Sequence, residues 1–94
     1  MPMPQLFRFG EYIIYFWVNE GEPPEPIHVH IAKGRPIPNA TKIWITSRHK
    51  CLLANNNSQI PTARLNKLMR FVEANINTVI NVWKEKIQTE EYYV

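Results

Sequence analysis

The chain has no aspartate, and its glutamates stop at Glu25 and resume only at Glu73. Two-metal nucleases and most phosphatases hold their ions with clustered carboxylates, so chemistry of that kind is not expected. The single cysteine, Cys51, rules out an internal disulfide and gives no reason to expect an oxidising compartment. No apolar run approaches the roughly 18 residues that would span a bilayer, and the N-terminus lacks a cleavable signal pattern. The expected location is the cytoplasm, with no membrane association. There the sequons Asn39-Ala40-Thr41 and Asn56-Asn57-Ser58 carry no meaning. No cofactor is expected.

What is present is unevenly distributed. Ninety-four residues make a single domain, 1–94, that buries roughly 60–65% of its chain surface on folding. The net charge of +3 conceals three blocks. Residues 1–25 set Arg8 against Glu11, Glu20, Glu22 and Glu25 and sum to −3. Residues 26–72 carry Lys33, Arg35, Lys42, Arg48, Lys50, Arg64, Lys67 and Arg70 without an acid and sum to +8. Residues 73–94 return to −2. Such asymmetry points to an anionic partner, either nucleic acid or an acidic protein. The competing reading is that the acidic N-terminal segment neutralises the basic block in three dimensions.

Along the chain, Leu6 to Phe9 reads as a short strand closed by Gly10, and Tyr12 to Val18 as a strand covered on both faces. Asn19 to Pro26 is a Glu-, Gly- and Pro-rich loop. Ile27 to Ala32 is a third strand, and the connector Pro36 to Asn39 is kept out of any ladder by its prolines. Thr41 to Thr46 alternates, with Ile43 and Ile45 on one face and Lys42, Trp44 and Thr46 on the other; Lys50 to Ala54 follows as an edge strand. The run Asn55 to Ser58 is expected to be a loop that also caps a helix. Leu65, Leu68, Met69, Val72, Ile76, Val79, Ile80, Trp83 and Ile87 recur at helical spacing, with Pro61 in the first turn. They fit one helix from about Thr62 to Gln88, or two if the chain breaks near Asn75-Ile76-Asn77.

The fold class is therefore α+β: an antiparallel meander of four or five short strands with a C-terminal amphipathic helix or helix pair on one face. That helical stripe matches Ile27, Val29 and Ile31 with Ile43 and Ile45. The opposite face then carries His28, His30, Lys42 and Trp44, and is aromatic enough to call for a cover, either a ligand or a second copy forming a homodimer through the open sheet face.

The segment Pro26-Ile-His-Val-His30 is the strongest local signal, because alternation puts His28 and His30 on one face about 7 Å apart. A meander brings the start of that strand beside the Arg48-His49-Lys50 turn, so His28, His30 and His49 are expected to gather at one end of the sheet, with Glu20, Glu22 or Glu25 nearby. Three roles compete. The histidines could bind zinc or a similar ion, although no tightly spaced third ligand exists. They could act as an acid–base or phosphate-gripping pair beside Arg48 and Lys50, suited to RNA cleavage. They could also be structural, hydrogen-bonded across the sheet or into a dimer contact. Trp44 beside Lys42 could stack unpaired bases or fill a dimer contact, while Trp83 belongs to the core. Cys51, with no companion, is not a nucleophile. The anion- or nucleic-acid-binding candidates are Lys33, Arg35, Lys42, Trp44, Arg48 and Lys50, and a phosphate or carboxylate is the expected guest near the histidines.

The order of features resembles the small bacterial family known as domain of unknown function 4160. Gly10, Tyr15, Phe16, Pro24, Pro26, His28, His30, Ile31, Gly34, Pro61, Leu65 and Trp83 carry the resemblance, from Leu6 to about Lys86. It implies no established activity. It implies a compact protein of a two-gene, toxin–antitoxin-like module, working with the product of a neighbouring gene, and it makes the two histidines part of a family motif. The leading expectation is an interaction component of such a module, acting through its basic surface on nucleic acid or an acidic protein from the same operon. The alternative is a small histidine-dependent hydrolase or RNase, with or without a metal.

Overall fold

A computed structural model describes residues 5–18 and 24–94 of the chain. Five strands form one antiparallel sheet in sequence order: β1 (Gln5–Phe9), β2 (Tyr12–Tyr15), β3 (His28–Lys33), β4 (Thr41–Ile45) and β5 (Cys51–Asn55). Two helices follow, α1 (Thr62–Ala74) and α2 (Ile76–Ile87). The α+β meander expected from the strand and helix patterns is the observed fold. Neither helix is long and apolar enough to cross a membrane.

Each connection has a local cause. Phe9 pairs with Tyr12 across a two-residue turn whose first position, Gly10, has φ +62°, a conformation that favours glycine. Beyond β3 the chain turns again at Gly34, φ +81°, whose N–H donates to the Glu11 carbonyl. β2 is shorter than its composition suggests: ladder pairing ends at Tyr15, opposite His30, and Phe16 and Trp17 continue outside the sheet. The helical segment divides at Asn75. Its φ of −115° leaves the helical region, its N–H still reaches the Phe71 and Val72 carbonyls, and its own carbonyl accepts from Thr78 and Val79. Its side-chain amide also donates to Phe71. One asparagine thus ends α1 and starts α2.

The Asn55 to Ser58 loop corrects an expectation. Pro61 is the N-cap of α1, with no side-chain cap bond. The loop instead ties down the start of β4. Asn56 Oδ1 accepts from the Thr41 hydroxyl and the Ile60 N–H, while the Ser58 hydroxyl donates to Ile31 and accepts from the Thr41 N–H. Thr41 is fully buried and can remain so because each of its polar groups is bonded.

The helix stripe packs where its pattern requires. Ile14, Phe16, Ile27, Val29, Ile31, Ile43 and Ile45 form one core with Leu65, Leu68, Val72, Val79, Ile80 and Trp83. The sheet curls around α1, since both outer strands reach the same stretch of it. Phe71 packs on Phe7 and Phe9 of β1. Glu73 accepts the Cys51 N–H of β5 at 2.7 Å, closing one free group of an edge strand.

Candidate functional site: the histidine face of the sheet

The opposite face of the sheet places Tyr15, His30 and Lys42 in one cross-strand row, Ile13 beside Ala32, and His28 opposite Trp44. This face is covered, and the chain covers most of it itself. Ile13, Tyr15, Ala32 and Ala40 form a second, smaller core with Trp17 against it. The Tyr15 hydroxyl donates to the Ile37 carbonyl at 2.9 Å and accepts its N–H at 3.2 Å, fastening the β3–β4 connector over the sheet. At the other end Tyr93 stacks on Trp44, with ring centroids 4.6 Å apart and planes within 8°. The cover that the aromatic composition demanded is thus provided largely within one molecule.

The two histidines lie together, their ring centroids 5.1 Å apart and nearly perpendicular. His28 is 1% exposed and also meets Trp44 and Trp83 edge-on. Trp83 can reach across from the helix side because β2 has already ended. Each Nδ1 faces a backbone carbonyl, Pro26 for His28 at 3.0 Å and Ala40 for His30 at 3.4 Å. A carbonyl only accepts, so each Nδ1 carries the proton and each Nε2 presents a lone pair. Burial pushes the His28 pKa down to about 4 and lowers that of His30 as well. Both rings are therefore neutral at pH 7. The neutral form offers an acceptor rather than positive charge, which weakens an imidazolium grip on phosphate or carboxylate.

His49 does not join them. It lies at the same end of the sheet, exposed in the β4–β5 turn with φ +60°, and its ring packs on Tyr92 at 5.7 Å. The C-terminal segment takes the place beside the turn that the expected cluster would need. Glu20 and Glu22 lie outside the described residues. Among the described residues, no three His, Cys, Asp or Glu side chains come together to hold a metal ion. Cys51 donates to the Met69 carbonyl, and burial pushes its thiol up to about 12, far from thiolate chemistry.

The basic candidates separate into three places. Lys33 and Arg35 lie at the end of β3, with Lys33 paired to Glu11 at 3.4 Å. Lys42 lies mid-sheet, paired to Glu25 and set over the Trp44 ring at 4.1 Å. Arg48 and Lys50 are exposed in the β4–β5 turn, at the opposite end from Arg35. Hydrogen bonding to Lys42 holds the Glu25 carboxyl below its ordinary pKa. Two glutamates from the acidic N-terminal block thus neutralise two cations of the basic block. Trp44 is engaged by Lys42 and Tyr93, so much of its ring surface is already taken.

An open cleft of about 590 Å³ remains, lined by residues that include Trp17, Glu25, His30, Asn39, Lys42 and Asn55. His30 Nε2 is buried at its edge, without a hydrogen-bond partner among the described residues. Of these, Trp17, Asn39 and Asn55 escaped the sequence reading as site residues. So did the terminal Glu91-Tyr92-Tyr93-Val94, although its two tyrosines and a valine are strand-forming residues.

No curated protein and no solved structure was found to match the chain. A family model, "Domain of unknown function (DUF4160)", matches residues 11–84. That span holds every strand except β1, all of α1, most of α2 and both buried histidines, and the chain accordingly belongs to the DUF4160 family.

Proposed function

We propose that the protein is a cytoplasmic interaction component of a toxin–antitoxin-like two-gene module, and that it binds an acidic partner protein in preference to nucleic acid. The observation that carries this reading is where the free positive charges lie. Lys33 and Lys42 are neutralised by glutamates, whereas Arg48 and Lys50 are exposed in the β4–β5 turn and Arg64, Lys67 and Arg70 lie within roughly 120° on the solvent side of α1. The last five have no ion-pair partner among the described residues. Single-stranded nucleic acid is held by a cationic track with free aromatic faces, whereas here Trp44 is covered by Lys42 and Tyr93 and the exposed cations suit discrete carboxylates. A hydrolase built on His28 and His30 is disfavoured because both rings are buried and give a substrate little access.

The test is fluorescence anisotropy with two probes, an oligoglutamate and a single-stranded RNA, at low and high salt. Oligoglutamate should bind more tightly than RNA and weaken at least ~10-fold with salt. Replacing Arg48 and Lys50, or Arg64, Lys67 and Arg70, with alanine identifies the surface responsible. Salt-independent binding, or none, overturns the proposal. RNA cleavage that disappears in folded His30→Ala would establish the hydrolase instead.

A further inference from the structure

The β3–β4 ladder is complete up to the His28–Trp44 pair and then opens. At the next position Ile45 N–H donates to the Ile27 carbonyl at 3.0 Å, but the return bond of a closed antiparallel pair is replaced. Ile27 N–H donates instead to the Glu91 carbonyl at 2.8 Å, and the Ile45 carbonyl accepts from Tyr93 N–H at 3.1 Å. Just beyond, Ser47 N–H and hydroxyl both reach the Val94 carbonyl. The C-terminal segment is therefore wedged into the opened end of the ladder by its backbone, with Tyr93 seated on Trp44 and Tyr92 on His49.

The parts of this arrangement differ in kind. The receiving groups, Ile27, Trp44, Ile45, Ser47 and His49, all lie within the span matched by the family model, whereas the inserted segment lies beyond it. The insert is weakly buried: Glu90, Glu91, Tyr93 and Val94 are exposed, Val94 at 87%. It is held by main-chain bonds, by the Ser47 hydroxyl, by two ring contacts, by Tyr92 packing at the margin of the main core and by a Glu90–Lys84 ion pair at 3.2 Å. Main-chain bonding is indifferent to sequence, so any extended segment that offers an aromatic ring to Trp44 can make it. The inserted segment is also acidic, and it lies against the turn carrying Arg48, His49 and Lys50. Segments with little burial are the first to open.

We propose that the opened end of the β3–β4 ladder is a docking slot for an extended, acidic, aromatic strand of a partner protein, and that this chain's own residues 90–94 fill it in cis. The inference rests on the reading of an acidic partner protein and says where and how that partner binds. In the resting chain the local segment competes at millimolar effective concentration, so the partner's strand must displace it.

The experiment uses the full chain, its Tyr93→Pro variant, which removes the N–H given to Ile45 and the ring on Trp44, and Tyr93→Ala, which removes the ring alone. The probe is a labelled synthetic peptide Thr-Glu-Glu-Tyr-Tyr-Val, with Thr-Glu-Glu-Tyr-Ala-Val and Thr-Lys-Lys-Tyr-Tyr-Val as controls. Both variants should bind the first peptide at least ~10-fold more tightly than the unaltered chain, and both control peptides should bind at least ~10-fold more weakly. Amide spectra should shift at Ile27, Ile45 and Ser47 and at the Trp44 indole. Equal affinity of all three proteins, no binding by folded variants, or shifts confined to α1 would overturn the slot. If oligoglutamate still binds in a salt-dependent way, only the slot falls and the partner reading stands. Peptide binding at the slot without oligoglutamate binding would keep the slot and remove the charge-driven reading. RNA binding without either would remove both.

Discussion

The two faces of the sheet are both covered, by different means and to different extents. On one, two amphipathic helices lay Leu65, Leu68, Val72, Val79, Ile80 and Trp83 against Phe16, Ile27, Val29, Ile31, Ile43 and Ile45, and apolar contact closes the core. On the other, irregular chain does the sealing: the β3–β4 connector is held by the Tyr15 hydroxyl, and the C-terminal segment by backbone bonds and the Trp44–Tyr93 stack. Irregular backbone cannot satisfy its own polar groups, so this face needs polar anchors among its rings. The contrast explains why buried histidines occur on one face only. Each imidazole supplies ring surface to the aromatic row and an N–H to a backbone carbonyl. It also explains why the cleft and the slot lie on the irregular side, where the cover is incomplete and removable.

That difference can be broken at either face. The largest effect is expected on the helical side. Leu68→Ala should cost about 3 kcal/mol by urea denaturation, because Leu68 is fully buried between helix and sheet and a rigid aliphatic core collapses only partly around a cavity. A loss below 1 kcal/mol would mean that this face is far more loosely packed than its contacts indicate.

A comparable effect on the histidine face should depend on pH. Unfolded, His28 titrates near 6.5; folded, near 4. Between those values the unfolded chain binds a proton that the folded chain does not, so stability rises with pH across the window and falls on acidification. The full contribution is about 3 kcal/mol, complete above pH 6.5 and lost by about pH 4, and the lowered pKa values of His30 and Glu25 act in the same direction. Urea midpoints measured from pH 7 to pH 4 should show this slope, and His28→Gln should flatten it. An unchanged slope in that variant would show that His28 is not the group responsible.

The smallest of these effects sharpens the account of the cover. Tyr15→Phe keeps the ring and removes the hydroxyl that both donates to and accepts from Ile37. A loss of about 1–2 kcal/mol is expected. It should come with faster amide exchange at Ile37 and little change at Leu68, since the connector loosens while the helical core remains.

The helical face was legible in the chain because periodicity alone encodes it. Ile43 and Ile45 alternate with Lys42 and Trp44, and Leu65 to Ile87 recur at three and four, so the meander and the packed side of the sheet follow without long-range information. The break at Asn75 was visible as one of two alternatives, and the contacts of α1 and α2 with the sheet resolved it. The histidine face was legible only in outline. Strand alternation placed His28 beside His30, and a meander placed both near the β4–β5 turn. Nothing local shows that Tyr92 and Tyr93 return to occupy that end of the sheet, nor that Glu11 and Glu25 come back to Lys33 and Lys42. The helix cap assigned to the Asn55 to Ser58 run failed for a similar reason: those side chains found better partners at Thr41 and Ile60, which are distant in sequence or reached only once the loop closes.

The sequence by itself determined the α+β class, the strand order, the aliphatic core and the family, because each rests on local periodicity or on a contiguous motif. Tertiary structure decided the state of the titrating groups and the identity of what covers them. A histidine's charge depends on how much water it keeps, and an edge's partner depends on which distant segment arrives. Burial therefore biased His28 and His30 toward the neutral form, and the returning C-terminal segment turned an apparently open aromatic face into an occupied slot.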